Sequence, residues 1–221
     1  MTRRSVPVPE REVSLAPDAE PRHLRRDAEI NLSRILAAAR DAFAEDGYDA
    51  SMESIAVRAE VGIGTLYRRF PNKADLLNAV VAAAHERNRQ IAEAVLADVP
   101  PGSEVFEFLR RCIAFPSCWR ATISVPPWRS TGTGLEKLAP LLREILHRSQ
   151  EAGTIRPDIE VSDLVVVLMS VRAIADVCDT KSSKPSARFL ELLLDGLRSG
   201  HDPVAHDPLT IAKLDRILRQ R

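Results

Sequence analysis

Apolar residues recur at offsets of three and four through most of the chain, the spacing that lines one face of a helix, and no strand-like alternation survives inspection. Ile30, Ile35, Leu36, Ala39 and Phe43 predict a first helix over about Asp27 to Asp46, with Gly47 as its stop. Met52, Ile55, Ala56 and Ala59 predict a short second helix. Val61-Gly62 makes the corner, where Gly62 is expected to take a backbone conformation closed to branched residues or to cap the next helix. The third helix runs from about Ile63 to Phe70 and turns Leu66 and Phe70 inward, leaving Thr65, Tyr67, Arg68 and Arg69 outside or at its margin. Pro71-Asn72 opens a long fourth helix to about Val99, with Asn72 and Asp75 spaced like a capping box and Pro100-Pro-Gly102 as its end. Two short helices at a tight corner, the second with cations on its outer edge, read as a helix-turn-helix. Double-stranded DNA is the expected partner.

Beyond this point the pattern stays helical. Segments from about Ser103 to Phe115, Leu135 to Ala152, Val161 to Cys178 and Ser186 to Ser199 carry helical spacing, closed by Pro116, Gly153 and Gly200. Between them, residues 117–134 hold two tryptophans, a Pro126-Pro127 pair and a Ser-Thr-Gly-Thr-Gly run. The last two large segments are apolar over more than one stripe, with Val166, Val167, Met169 and Ile174 widening the first. A helix apolar over most of its circumference needs cover on several sides, and a second copy of the chain is the expected lid. Leu164, Leu168, Val171 and Ala175 with Phe189, Leu190, Leu193, Leu194 and Leu197 are the expected dimer residues. After residue 200 come Pro203, Pro208 and a short amphipathic piece with Leu209, Ile211, Leu214, Ile217 and Leu218.

The helix-turn-helix residues resemble those of the tetracycline-repressor (TetR) family of bacterial transcription regulators. The likeness starts at Arg34-Ile-Leu-Ala-Ala-Ala-Arg-Asp-Ala-Phe-Ala-Glu-Asp-Gly-Tyr48, passes through Gly64-Thr-Leu-Tyr-Arg-Arg-Phe70 and ends with Asn72-Lys-Ala-Asp-Leu-Leu77. It implies that Tyr67 and Lys73 sit on phosphates, that Thr65 lies against DNA, and that Ile63, Gly64 and Arg68 face the major groove. With Ser51, Arg69, Arg25 and Arg26 these are the expected DNA-contacting residues. The chain departs from the family pattern at position 62, where many members carry a serine cap, and Ile63-Gly64 offer no hydrogen-bonding side chain. Base reading therefore rests on Thr65, Arg68 and Arg69.

The resemblance also implies dimerisation through the last two large helices as a four-helix bundle. It further implies a cavity for a small-molecule effector between the long fourth helix and the Val161–Cys178 segment. Phe106, Phe115, Trp119, Ile123, Trp128 and Met169 are its expected apolar lining, with Arg120, His147 and Arg172 as polar anchors. The fourth helix touches DNA at one end and the second domain along its body, so it reads either as a transmission rod or as a plain connector.

Charge changes this picture little. The chain of 221 residues carries 31 cations and 31 acids, a net charge of zero that at first argues against a nucleic-acid protein. Locally, however, Gly62 to Lys73 holds Arg68, Arg69 and Lys73 and no acid, and local charge governs approach to a phosphate backbone. Residues 1–21 hold four prolines and read as a disordered arm. The basic Arg22-His-Leu-Arg-Arg26 at its end serves either phosphates and the minor groove or only general solvation.

Cys112, Cys118 and Cys178 are odd in number and widely spaced, which predicts packed thiols and neither a disulfide scaffold nor a zinc site. No nucleophile elbow, phosphate loop, dinucleotide fingerprint or His-Glu-x-x-His occurs, so no enzyme, cofactor or metal is expected. His201-Asp-Pro and His206-Asp-Pro read as a solvated repeat. The expectation is an all-α regulator of the cytoplasm, nucleoid-associated when on DNA and with no membrane partner. Its parts are an arm (1–21), a helix-turn-helix domain (22–78), a helical ligand-binding and dimerisation domain (79–200) and an extension (201–221). A constitutive DNA binder, a helical interaction module or an enzyme with a structural helix-turn-helix are the other readings. The resemblance implies a ligand-responsive repressor that acts as a dimer on a palindromic operator.

Overall fold

A computed structural model describes residues 20–114, 135–179 and 184–219. Nine α-helices stand among them. These are α1 (Glu20–Asp46), α2 (Met52–Arg58), α3 (Ile63–Arg69), α4 (Lys73–Asp98), α5 (Glu104–Ile113), α6 (Leu135–Glu151), α7 (Val161–Cys178), α8 (Pro185–Gly196) and α9 (Ile211–Arg219). The described residues form no strand, only one isolated bridge between Ile155 and Arg198. None of their helices is long and apolar enough to cross a membrane. The chain is all-α.

Two apolar cores result, and α4 belongs to both. Its first turns supply Leu76, Leu77 and Val80 to a core with Ile35 and Phe43 of α1, Met52 and Ile55 of α2 and Leu66 of α3. Its last turns supply Ala92 and Val95 to a second core built by α5, α6, α7 and α8. Asn72 caps its start, where Oδ1 accepts from the Asp75 backbone N–H at 2.9 Å and Nδ2 donates to the Asp75 carboxylate at 2.8 Å. The N-cap half of the capping box read from the sequence is therefore made, while the Asp75 carboxylate accepts from the Asn72 side chain and not from its backbone N–H.

α1 begins at Glu20, seven residues before the expected Asp27. Residues 26–30 are all exposed, so no core face marks the start of this helix and periodicity could not find it. Its stop is as expected: Gly47 takes φ 61. Residues 1–19 lie outside the described set, as does Cys118. Of the other two cysteines Cys112 is buried, but Cys178 is exposed at the last position of α7, so packing of all three thiols is corrected.

The turn into α5 is tied to the end of α6. Glu104 Oε2 accepts from the Gly102 N–H at 2.6 Å and from Ser149 Oγ at 3.1 Å, and Thr154 Oγ1 donates to the Gly102 carbonyl at 2.7 Å. Gly102 has φ +91, and a Cβ there would stand 2.9 Å from Thr154 Cγ2. Gly102→Ala combines left-handed strain with overpacking and is expected to cost about 1–3 kcal/mol, read as a lowered urea midpoint. Beyond α8 the extension folds back: Asp158 accepts from the Val204 N–H at 2.7 Å, and Arg156 donates to Asp158 at 2.7 Å and to the Asp202 carbonyl. This strap delivers α9 onto α7, where Leu214 is buried.

Candidate nucleic-acid interface and regulatory core

The corner between α2 and α3 is built by the backbone of its own residues. Ser51 caps α2, its Oγ accepting from the Ser54 N–H at 3.0 Å. At the other end the Glu60 N–H donates to the Val57 carbonyl and the Val61 N–H to the Ala56 carbonyl, both at 3.0 Å, which is a Schellman closure. That closure needs one left-handed residue, and Glu60 provides it at φ 54 while its carboxylate pairs with Arg34 of α1. Gly62 sits at φ −65, ψ 140 as an N-cap with no side-chain bond. Of the two roles expected for Gly62 the structure shows the capping one, and the left-handed position of the corner falls on Glu60.

α3 shows the division of faces that its spacing predicts. Leu66 is wholly buried and Phe70 nearly so. Ile63, Gly64, Tyr67, Arg68 and Arg69 are exposed, and Thr65 is half-buried. A Cβ on Gly64 would meet nothing within 4 Å, so the backbone here faces open space.

Charge is sorted in the same way. Arg58 holds Glu45 at 2.7 Å, Arg40 holds Asp41 at 2.8 Å and Arg34 holds Glu60, so two acids of α1 and the one at the corner are paired with neighbouring arginines. Neither Arg68 nor Arg69 enters an ion pair among the described residues, so α3 presents uncompensated cations. Lys73 differs from its expected role as a pure phosphate contact. Its Nζ donates to the Tyr48 carbonyl at 2.8 Å and lies 5.0 Å from the Tyr48 ring centroid, so it also pins the turn after α1. Two of its N–H groups remain for other acceptors. Arg26 is exposed on the protruding start of α1, and the side chain of Arg25 lies outside the described set.

The expected effector residues scatter. Phe115, Trp119, Arg120, Ile123 and Trp128 lie outside the described residues. His147 is corrected outright: it faces solvent beside Glu151 at 3.4 Å on the outer side of α6 and anchors nothing inside. Phe106 lines a notch of about 250 Å³ with Gly102, Glu107, Thr154 and Arg198, whose guanidinium stacks 4.5 Å over its ring. Met169 is half-buried on α7.

Of the expected polar anchors among the described residues, Arg172 reaches inward. Its Nη2 donates to Asn88 Oδ1 of α4 at 3.1 Å and to the Cys112 carbonyl of α5 at 3.3 Å. Sequence reasoning missed Asn88 and its neighbour His85. A signal existed, because Asn88 continues the buried i, i+4 register of Ala92 and is a polar group where an apolar one belongs.

Most of the expected dimer residues are corrected too. Leu164, Leu168, Val171, Leu190, Leu194 and Leu197 are buried within the protomer, in the seam where α7 packs on α8 and the rest of the second core. Ala175, Phe189 and Leu193 are half-buried. The outer faces of the same helices instead expose Val166 and Val177 on α7 and Leu192 on α8. Periodicity found two doubly apolar helices but could not say which stripe each neighbour takes.

Comparisons with known proteins agree with this geometry. Residues 35–80 match the family model for bacterial regulatory proteins of the tetR family, and residues 100–199 match the C-terminal domain of SbtR-like transcriptional regulators. The crystal structure of a TetR transcription regulatory protein from Mycobacterium vanbaalenii superposes with a TM-score of 0.60 at 31% identity, covering 79% of this chain and 99% of that one. The regulator UidR of Escherichia coli is 36% identical over 66 residues, 29% of this chain and 34% of UidR. The repressor KstR of Rhodococcus jostii is 46% identical over 55 residues, 24% of this chain and 26% of KstR. The chain thus spans about a third or less of the length of these two relatives.

Proposed function

We propose that this chain, which belongs to the tetR family of bacterial regulatory proteins, is a dimeric, ligand-responsive repressor that binds a palindromic operator. The observation that carries the reading is the outer face of α3, where Ile63, Gly64, Thr65, Tyr67, Arg68 and Arg69 project from a helix anchored by Leu66 and Phe70. An exposed helix of this kind enters the major groove, with Tyr67 and the free donors of Lys73 on phosphates. One such helix reads few base pairs, so two copies related by a two-fold axis are required for a unique site.

The apolar outer faces of α7 and α8, around Val166, Val177 and Leu192, supply the surface for the second copy. The effector binds in the second core and favours the arrangement of the two heads that does not fit DNA. The protein works in the cytoplasm and joins the nucleoid when bound to DNA.

Selection of binding sites from randomised duplexes, with sedimentation of the chain alone, tests this. A recovered palindrome bound by a dimer supports the reading; a monomer, or recovery of unrelated sequences, overturns it. Gly64→Leu gives a sharper expectation. On the free protein the side chain meets open space and replaces a helix-weakening glycine, so stability is unchanged or higher by up to about 1 kcal/mol. In the groove the same side chain strikes the bases, so affinity in fluorescence anisotropy falls.

A further inference from the structure

Residues 200–221 lie past the C-terminal domain matched above, and their first part is knotted to the turn before α7. Arg156, almost wholly buried, donates through Nε to Asp158 Oδ1 at 2.7 Å and through Nη2 to Asp158 Oδ2 at 2.9 Å and to the Asp202 carbonyl. Asp158 Oδ2 also accepts from the Val204 N–H at 2.7 Å. The Arg156 guanidinium, and then the Val204 N–H, hold the Asp158 carboxyl at about 2, so the knot stays ionised throughout the physiological range. It fixes the Val204 backbone while the Val204 side chain stands 55% exposed.

α9 follows, capped by Thr210 Oγ1, which accepts from the Lys213 N–H at 3.2 Å. Nine residues cannot hold a helix by their own backbone bonds, so α9 depends on what covers its apolar face. That face is Ile211, Leu214, Ile217 and Leu218; Leu214 is buried and the other three are only half-covered. α8 packs along α7 as α9 does, and one stripe of a helix takes one neighbour, so α8 and α9 flank α7 on different sides. The part of α7 that neither covers holds Val166 and Val177.

Of the strongly exposed large apolar side chains among the described residues, Ile30, Val57, Ile63 and Tyr67 lie on α1 to α3. The others, Val166, Val177, Leu192 and Val204, lie on α7, α8 and the strap. A stable interface hides about 800 Å² on each partner. Covering Val166, Val177 and Leu192 completely hides at most roughly 300 Å² of apolar surface. More ground is needed beside them, and beside α7 that ground is the extension.

We propose, resting on α7 and α8 as the face for the second copy, that the extension is part of the same interface. Val204 of the strap and Ile217 and Leu218 of α9 seat against the partner copy. A two-fold axis beside α7 repeats each contact, so every side chain the strap adds counts twice. The knot at Arg156 and Asp158 then sets the angle at which Val204 and α9 meet the other copy.

Sedimentation equilibrium of full-length variants tests this, with circular dichroism to confirm folding. Val204→Lys places a charge on the strap without touching the protomer core, and is expected to raise the dimer dissociation constant tenfold or more. Asp158→Ala, which releases the strap, is expected to do the same. Should Asp158→Ala not fold, Val204→Lys decides alone, because residue 204 already faces solvent in the single chain. Val166→Lys tests the α7 face, and Val57→Lys, on α2, controls for the added charge and is expected to leave the dimer as it was.

Native-like dimers from folded Val204→Lys overturn the proposal, and leave the α7 and α8 face standing if Val166→Lys gives monomers. Monomers from Val204→Lys with dimers from Val166→Lys support the extension and sink the α7 face. A native chain that is monomeric sinks both. Equal weakening by Val57→Lys and Val204→Lys assigns the loss to charge and overturns the proposal.

Discussion

Truncating Leu66 to alanine is expected to remove about 2–5 kcal/mol of stability and, with it, most operator affinity. α3 has seven residues, too few to hold a helix by their own backbone bonds. It persists because Leu66 is fully buried in the core that Ile35 and Phe43 of α1, Ile55 of α2 and Leu76 of α4 complete. The cavity left by alanine lies directly under the residues that face DNA, so the outer face loses its support before the rest of the chain unfolds. The second core shares only α4 with this one and should stay folded. Chemical denaturation followed by circular dichroism is expected to split into two transitions, with only the first moved to lower urea. A loss below about 1 kcal/mol would mean that Leu66 is not what anchors the helix.

This anchoring was legible in the sequence because α3 has one apolar stripe and nothing competes for it. Leu66 and Phe70 could only point inward, and the remaining side chains could only point out. The Asn72–Asp75 cap and the Gly47 stop were legible for the same reason, since each concerns neighbours along the chain. Where two neighbours compete for one helix, periodicity fails. α7 and α8 are apolar on two sides, and Leu164, Val171 and Leu194 went to the protomer's own core while Val166, Val177 and Leu192 were left outside.

His147 failed as a pocket residue because helical spacing alone does not say which way α6 turns, and it turned this histidine to solvent. The strained corner fell on Glu60 because a Schellman closure fixes which position must be left-handed, whatever residue occupies it. Asn88 carried a readable signal, a polar residue in a buried register. Its meaning needed Arg172, eighty-four residues away.

Removing both outer cations of α3, as Arg68→Ala with Arg69→Ala, is expected to weaken operator binding by about 2–5 kcal/mol and to leave thermal stability unchanged. Both side chains are exposed, neither enters an ion pair among the described residues, and the core beneath them is carried by Leu66 and Phe70. Nothing that holds the fold is lost. Arg68 alone should cost about 1–3 kcal/mol and relax the preference at one base position, because a bidentate arginine reads guanine edges.

Lys73→Ala should behave differently on two counts. It weakens cognate and random duplex alike and lowers the salt slope by about one unit, since a phosphate contact carries no sequence information. It also lowers the melting temperature, because Nζ holds the Tyr48 carbonyl and the ammonium lies against the Tyr48 ring. Anisotropy titrations on selected and scrambled duplexes over a salt series measure all of these. Equal losses on both duplexes for the double arginine variant would place Arg68 and Arg69 on the backbone, and base reading would then fall to Thr65 and the apolar edge of Ile63.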